Sequence, residues 1–332
     1  MHWFKAPVRL LGFVVFSALG IGALGSIPAE AAFPGTPGPI LYSKVAASEI
    51  ETSGGLFFHG PRASQAPHRL TSDPQDRNPS YSPNGRLIAF EGNRDPGETS
   101  GTHIYVMKAD GSGVVQLTNG DFYDSNPAFS ANGEVVVFDR AGLSDRVTHI
   151  FAVAVDGSGL RQLTRGPDSD YEPSFTPNGR RIVFVSGRGG AGRRDRSNIF
   201  SMKPNGTQVK LLIGGPRNDY EPDISPNGRL VAFASTRANG HGPNLFVARI
   251  DGSHVRALTH SKGDCFRTAC YGYPSFAPDG RHIAFLRSGR YASDLEVIRT
   301  DGRGYSKEFD EAGTEEEGYG SHIGPPSWGP SG

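Results

Sequence analysis

The sequence predicts an all-β protein, folded as a six-bladed β-propeller of four-stranded antiparallel blades. Three observations support this prediction. A segment recurs along the chain with a nearly constant period, the same order of strands and turns stands inside each period, and no long segment has the periodicity of an amphipathic helix. The 45 glycines and 25 prolines among 332 residues agree with a chain of many turns.

The recurring segment is PDISPNGRLVAFAS at residues 222–235. Six prolines begin its copies, and the spacings between them are 48, 46, 49, 52 and 52 residues. The other copies are PSYSPNGRLIAFEG from Pro79, PAFSANGEVVVFDR from Pro127, PSFTPNGRRIVFVS from Pro173, PSFAPDGRHIAFLR from Pro274 and a truncated PSWGPSG from Pro326. A fixed period of this length is typical of repeat architectures such as propellers.

Each period predicts four strands. Proline and alternating residues open an extended strand, and Pro-Asn-Gly or Pro-Asp-Gly then forms a tight turn in which glycine takes the positive φ. The next run, such as RLVAFAS, is apolar enough to be covered on both faces. A third run ends in an Asp-Gly or Asn-Gly turn, as in HIFAVAVDGS from His149, and a short fourth strand ends in Leu-Thr. Four antiparallel strands in about fifty residues describe one blade.

The two ends of the chain are predicted to share the first blade. Residues 40–43 are interpreted as a second strand that no PNG segment precedes, and residues 55–59 and 69–71 supply the third and fourth strands. The missing first strand stands at residues 326–332. Its pairing with the first blade closes the ring and removes the exposed sheet edges.

Residues 1–31 are expected to be an export signal outside the fold. Lys5 and Arg9 precede an apolar run over residues 10–24, and Ala29-Glu30-Ala31 offers a cleavage site of small residues. A retained signal anchor is the alternative, and it would be the only membrane contact. We therefore expect a periplasmic or secreted protein, monomeric, with a propeller over residues 39–332.

Charge and cysteine content narrow the function classes further. The 34 Lys and Arg balance the 34 Asp and Glu, which disfavours a nucleic-acid partner held by a positive field. Cys265 and Cys270 are the only cysteines, and in an oxidising compartment we expect them to form a local disulfide. A reactive or metal-binding pair is the alternative.

Binding is predicted at one end of the propeller. The uniform PNG and DGS turns share one end, and the variable loops share the other, where binding residues usually lie. An Asp stands three residues before the proline in four periods. The predicted ligand-binding residues around the channel mouth are Asp124, Asp170, Tyr171, Glu172, Asp219, Tyr220, Glu221 and Tyr273. A Gly/Arg-rich insertion at residues 187–196 is expected to be mobile and basic at the same end.

Two interpretations of these residues stay open. The repeated Asp could accept backbone N–H bonds and hold the turn between blades, and the tyrosines could be core residues at a blade interface. The functional hypothesis is an acidic, aromatic-lined mouth that binds a basic peptide segment, a sugar or a cation.

No catalytic constellation is visible in the sequence. It contains no GxSxG and no HExxH, and the Asp-Gly turns at Asp156 and Asp251 lack the further carboxylates that calcium requires. We therefore expect no catalytic residue, cofactor or metal. The alternative functions are a channel-site enzyme, such as a carbohydrate lyase or a cofactor-dependent dehydrogenase, and a propeller that assists a separate hydrolase.

The repeated PxxSPNGxxIAF, followed by IYVMxxDGSxxxxLT, resembles the propeller repeat of the TolB family and is related to repeats in peptidases of the prolyl-oligopeptidase type. The resemblance covers residues 39–332. It implies a six-bladed propeller in an exported protein. Because the ring is rigid, one face is rich in loops and no catalytic constellation is visible, we expect a non-catalytic scaffold that binds a protein or peptide partner of the cell envelope at its loop-rich face and channel mouth. TolB proteins carry an α/β domain before the propeller, and the resemblance does not extend to that domain.

Overall fold

The computed structural model describes residues 40–45, 54–59, 67–94, 101–188, 196–238, 242–261, 269–289, 293–309, 322–324 and 327–328. The predicted export signal, Cys265 and most of the Gly/Arg-rich insertion lie outside these residues. Within them the chain forms 25 strands. These described residues include no helix that is long and apolar enough to cross a membrane.

Six sheets contain these strands. Blade 1 has β1 (Ile40–Val45), β2 (Gly55–His59) and β3 (His68–Arg69). Blade 2 has β4 (Arg77–Tyr81), β5 (Leu87–Gly92), β6 (His103–Lys108) and β7 (Val115–Gln116). Blade 3 has β8 (Phe122–Phe129), β9 (Val135–Gly142), β10 (His149–Ala154) and β11 (Arg161–Gln162).

The later blades follow the same order. Blade 4 has β12 (Asp170–Phe175), β13 (Ile182–Ser186), β14 (Asn198–Met202) and β15 (Lys210–Ile213). Blade 5 has β16 (Asp219–Ile224), β17 (Leu230–Ser235), β18 (Asn244–Arg249) and β19 (Arg256–Ala257). Blade 6 has β20 (Cys270–Phe276), β21 (His282–Ser288), β22 (Ser293–Arg299) and β23 (Ser306–Phe309). The chain ends with β24 (His322–Ile323) and β25 (Ser327–Trp328).

The predicted six-bladed propeller is confirmed. In each of blades 2 to 6 the four strands pair in chain order and antiparallel, so the first strand of each blade is the innermost. Blade 1 is completed from the far end of the chain, because β24 and β25 both pair with β1, at Lys44↔Ile323 and Ile40↔Trp328. The C-terminal segment therefore supplies the innermost strand of the first blade.

The apolar core lies between neighbouring blades. The second strands of blades 2 to 6 each carry a fully buried Phe at the same repeat position, namely Phe90, Phe138, Phe184, Phe233 and Phe285. Each core cluster combines two blades; Val137 of blade 3, for example, shares a cluster with Phe184 of blade 4. Every residue of β13 is buried, because a strand between two blades is covered on both faces.

The polar residues of the repeat cap backbone amides. Ser225, at the start of the PNG turn, accepts the N–H of Leu230 at 2.8 Å, and Thr259 of the Leu-Thr pair accepts the N–H of Leu245 at 2.9 Å. Thr118 and Thr164 make the same bond to Ile104 and Ile150. Each repeated hydroxyl thereby satisfies a main-chain donor at a strand end.

The Asp-Gly turns pack against the preceding blade. Gly252 has φ +82°, and a Cβ at this position would overlap the carbonyl oxygen of Leu212 in blade 4. Gly206 stands in the same relation to Leu163 of blade 3. The glycine is therefore needed both for its positive φ and for the close approach of two backbones.

We expect Gly252→Ala to lower the free energy of unfolding by about 3 kcal/mol, because it adds an overlap with Leu212 to the cost of an L-residue at positive φ. Gly159→Ala is the matched control, since Gly159 has φ +67° and a Cβ there would meet nothing within 4 Å. The control should lose only about 1 kcal/mol in a urea titration. Equal losses for the two variants would contradict the packing role of the turn.

Candidate functional site

The innermost strands of blades 2 to 6 share one irregularity. Their pairing with the second strand shifts register. The residue before the recurring proline of the repeat takes a left-handed backbone conformation with φ between 46° and 57°. These bulge residues are Asn78, Asn126, Glu172, Glu221 and Tyr273. Non-glycine residues at positive φ cost about 1–3 kcal/mol each, so the surrounding structure must hold them in place.

The bulge amide is held by a carboxylate of the preceding blade. Asn126 N donates to Glu91 Oε2 at 3.2 Å, and Glu172 N donates to Asp139 Oδ1 at 2.9 Å. Glu221 N donates to Glu172 Oε2 at 2.8 Å, and Tyr273 N donates to Glu221 Oε2 at 2.8 Å. These four bonds, which we name the amide–carboxylate ring, link blades 2 to 6 around the channel.

Two different chain positions supply the carboxylate. In blades 2 and 3 the bulge residue is Asn, and the acid stands on the second strand as Glu91 or Asp139. In blades 4 and 5 the bulge residue is itself the acid, and the equivalent positions on the second strand are the apolar Val185 and Ala234. The same hydrogen bond is thus kept while the strand that carries its carboxylate acceptor changes.

Neighbouring residues adapt to these acids. Asn78 Nδ2 donates to Glu91 Oε2 at 2.8 Å, and Asn126 Nδ2 donates to Asp139 Oδ1 at 2.9 Å, so each Asn supports the acid of its own blade. In blade 6 a Cβ on Gly272 would come within 2.7 Å of Glu221 Oε2. The absence of a side chain at Gly272 therefore admits the Glu221 carboxylate.

Burial raises the pKa of two of these acids, Glu91 and Asp139, and of Asp223 on the innermost strand of blade 5. The pKa of Glu91 rises to about 7 and that of Asp139 to about 8, in both cases because the charged form loses its hydration. Hydrogen bonds from the Asn side chains and bulge amides oppose this rise. Asp223, which accepts the N–H of Phe276 at 2.6 Å, has its pKa raised by burial to about 7. These groups are therefore neutral or partly neutral near pH 7.

A cavity of about 120 Å³ lies on the propeller axis. Residues from all six blades line it, from Ser80 in blade 2 to Ser327 in the closing strand. Its described lining includes three carboxyl side chains, Glu172, Glu221 and Asp223, and no Lys, Arg or His. Within the described residues, no group of three or more His, Cys, Asp and Glu is arranged to hold a metal ion.

The structure places the eight predicted site residues in three groups. Glu172, Glu221 and Tyr273 line the axial cavity together. Asp124, Asp170 and Asp219 do not, because their side chains are fully buried and bind an Arg. Tyr171 and Tyr220 are half-buried and lie outside the cavity lining, and the Tyr171 hydroxyl is 2.7 Å from Ser197 Oγ.

The buried Asp–Arg pairs form a second repeated device. Arg237 Nη2 lies 2.5 Å from Asp219 Oδ2, and its guanidinium stacks at 5.1 Å and 5.5 Å from the ring centres of Phe233 and Phe246. The pairs Arg94–Asp76, Arg140–Asp124 and Arg188–Asp170 repeat this arrangement. Arg188, the first of the four arginines in the insertion at residues 187–196, is thus bound to Asp170. The notable donors to the repeated Asp are therefore side chains, an Arg in four blades and also Ser235 at Asp219.

Blade 6 departs from this device. Tyr271 stands at the repeat position of Asp170 and Asp219, and the preceding residue, Cys270, is buried and disulfide-bonded. Cys265, the other cysteine of the chain, lies outside the described residues. A covalent link therefore stands at the end of the innermost strand where other blades have an ion pair.

Sequence analysis did not identify Glu91, Asp139 and Asp223 as site residues. A signal for the first two was present, because an acid interrupts the apolar second strand in LIAFEG and VVVFDR, where the other copies have Val, Ala or Leu. Asp223 stands between Pro222 and Ile224 on an innermost strand. Acids are common on this strand, so Asp223 does not stand out from an apolar run as Glu91 and Asp139 do.

Comparison with known proteins supports the propeller fold. The family model of the TolB β-propeller domain matches residues 61–190 and 143–331, which together span most of the chain. The chain belongs to this family. None of the curated proteins that were compared matches the TolB-like chain in sequence.

Solved structures share the TolB-like fold at low sequence identity. TolB from Acinetobacter baumannii superimposes with a TM-score of 0.68 at 19% identity, over 88% of this chain and 66% of that one. A putative TolB from Agrobacterium tumefaciens gives 0.61 at 18% identity, over 79% and 89%. A puromycin-hydrolyzing peptidase from Mycobacterium tuberculosis gives 0.56 at 16% identity, over 84% and 45%. The chain spans about two thirds of the Acinetobacter protein, and these identities establish the fold alone.

The raised pKa of Asp139 makes the stability of the propeller depend on pH. Its carboxyl keeps a proton in the folded state at pH values where the unfolded chain has released it, so the stabilisation is complete below about pH 4 and is lost as the pH rises through about 8. Asp139→Asn keeps an oxygen acceptor for Asn126 and Glu172 but cannot ionise. We expect the free energy of unfolding of Asp139→Asn, relative to the unmodified protein, to rise by more than about 1.4 kcal/mol between pH 5 and pH 9.

The control for this measurement is Asp156→Asn. Asp156 is solvent-exposed, and its pKa is lowered by the hydrogen bonds from Ser158, so it titrates below the tested range in both states. Its variant should follow the pH dependence of the unmodified protein. A difference for Asp139→Asn that stays constant from pH 5 to pH 9 would show that the acid is ionised throughout.

Proposed function

We propose that this TolB-like propeller is an exported scaffold that binds a protein partner in the cell envelope at its loop-rich face. In this proposal a basic side chain of the partner enters the axial cavity. The observation that supports it most strongly is the acidic lining contributed by Glu172, Glu221 and Asp223. Glu172 and Glu221 are two residues from the loop-rich ends of their strands, which begin at Asp170 and Asp219.

The size of the cavity favours a side chain over a substrate molecule. Pockets for small molecules and cofactors usually have volumes of about 300–1,000 Å³, and the axial cavity has about 120 Å³. A volume of this size suits a single side chain with a few waters.

The charge of the lining favours a basic side chain. Two of the lining acids already accept a bulge amide, and a carboxylate can accept further hydrogen bonds at its remaining positions. A Lys ammonium or Arg guanidinium would bring donors without an acceptor and would draw Asp223 toward its ionised form. An acidic side chain would be repelled.

The test is affinity capture from an envelope extract with the full chain and two double variants. Glu172→Gln with Glu221→Gln removes two cavity charges and keeps an oxygen acceptor for each bulge amide. Asp156→Asn with Asp251→Asn removes two charges from the turns at the opposite end of the blades. We call the first double variant the cavity variant and the second the turn variant. We expect the unmodified protein and the turn variant to capture the same partner equally. The cavity variant should bind that partner at least tenfold more weakly, because each hydrogen bond to a charged group contributes about 1.5–3 kcal/mol.

Two results would contradict this proposal. Capture of the same partner by all three proteins would place the interface away from the cavity. Loss of the partner in the turn variant alone would place the interface at the opposite end, where the PNG and DGS turns lie. A urea titration of each variant confirms that the compared proteins are folded.

Export rests on residues 1–31, which lie outside the described residues. We expect the protein recovered from the envelope or the medium to have the mass of a chain that begins at Ala32 or Phe33. Replacing Ala29 and Ala31 with Leu removes the small residues of the predicted cleavage site and should leave the precursor uncut. A mature protein that keeps Met1 and sediments with the membrane would instead support the signal-anchor alternative.

A further inference from the structure

One blade extends farther than the others at the loop-rich end. Strands β8 and β9 each have eight residues, and they continue to pair beyond Asp124, at Tyr123↔Ala141 and Phe122↔Gly142. In blades 4 and 5 the innermost strand begins at the equivalent Asp170 and Asp219. Two extra residue pairs amount to about 7 Å of strand. We name residues 122–123 and 141–143 the blade 3 extension.

The blade 3 extension exposes three large apolar side chains. The exposed fractions are 46% for Tyr123, 38% for Leu143 and 36% for Phe122. The residues at the repeat position of Tyr123 in the other described blades are Gln75, Ser169, Asn218 and Cys270. The repeated fold therefore does not require an aromatic residue at this position. Exposed large apolar side chains that the fold does not require are typical of interaction sites.

The blade 3 extension is held rigidly. Thr102 of the preceding blade forms a parallel bridge with Tyr123, in which Thr102 N donates to Phe122 O at 3.2 Å and Asp124 N donates to Thr102 O at 2.9 Å. The Arg140 guanidinium lies 4.2 Å from the centre of the Phe122 ring and is bonded by two nitrogens to Asp124. A surface that is ordered before binding loses less conformational entropy when a partner docks.

The channel indicates which partner would fit. Tyr123 stands three residues before Asn126, a residue that lines the axial cavity, and three residues of strand span at most about 10 Å. A partner segment that crosses this distance meets an apolar surface first and an acidic cavity second. A matching partner segment would therefore have an apolar residue for the extension and, about two to four positions away, a basic residue that complements the charge of the cavity.

We propose that the blade 3 extension is a specificity site for an extended protein segment whose apolar residue packs on Tyr123 and Leu143 while a nearby Lys or Arg enters the axial cavity. This inference rests on the proposed function and adds to it the second anchor of the partner. A second copy of the chain is the competing occupant. The three apolar side chains of the blade 3 extension would give a second copy far less contact area than the roughly 1,200 Å² that stable interfaces bury.

The test uses a phage-displayed library of random dodecapeptides, panned on the full chain. Enriched peptides are synthesised, and their Kd values are measured by fluorescence anisotropy against Tyr123→Ser, Leu160→Ser and the double variant Glu172→Gln with Glu221→Gln. Tyr123→Ser introduces the residue type that blade 4 has in Ser169, so the fold tolerates it. Leu160→Ser is the matched control, because Leu160 is also 46% exposed and lies at the edge of blade 3, away from the extension.

We expect enriched peptides to contain a large apolar residue two to four positions from a Lys or Arg. Their Kd should rise about 10- to 30-fold for Tyr123→Ser and for the cavity variant, and should not change for Leu160→Ser. Peptides that lose affinity for the cavity variant and bind Tyr123→Ser unchanged would overturn this inference and leave the proposed function intact. Absence of basic residues from the enriched set would overturn both.

A separate measurement addresses the competing occupant. Sedimentation equilibrium of the unmodified protein and of Tyr123→Ser should give the same monomer mass. A dimer that dissociates in Tyr123→Ser would assign the blade 3 extension to self-association and overturn the peptide proposal.

Discussion

The hydrogen bond from the bulge amides of blades 3 to 6 to a carboxylate of the preceding blade is the constraint on which the channel depends. A bulge in the innermost strand turns one backbone N–H away from its own sheet, and a buried donor without a partner would be costly. The neighbouring blade supplies the acceptor, as Asp139 does for Glu172. One bond therefore fixes the left-handed backbone, the relative position of two blades and the location of an acid beside the axis.

This constraint makes the channel acidic before any partner is considered. Each carboxylate is retained because it satisfies a main-chain donor, and its burial raises the pKa of Glu91 and Asp139 toward neutrality. The acids that line the cavity itself are Glu172, Glu221 and Asp223. In the proposed function a basic side chain would supply their countercharge, so the bonds that Glu172 and Glu221 make between blades would also prepare a site for a cation.

Repetition separates the roles of the remaining side chains. The Asp–Arg pair stacked on aromatic rings occurs in four blades, which marks it as a requirement of the blade, and its Asp residues are fully buried. Tyr123 and Leu143 belong to one blade only and are exposed. Features that depart from the repeat, and that the packing does not explain, are therefore the best indications of a function specific to this propeller.

The sequence by itself determined the architecture: the proline spacing predicted the blades, and the missing first strand of blade 1 predicted closure by the C-terminus. Local sequence patterns are enough to predict the blades and the ring closure, because every period repeats the same proline, glycine turn and apolar strand. The site was decided only by the tertiary structure. Glu91 and Asn126 are 35 residues apart, and nothing in the sequence between them shows that the Glu91 carboxylate accepts a hydrogen bond from the Asn126 backbone amide. Asp170 and Glu172 are both acids near a strand start, and regular alternation would place them on one face. The bulge after Tyr171 breaks that alternation, so Asp170 binds Arg188 within the blade while Glu172 lines the axial cavity.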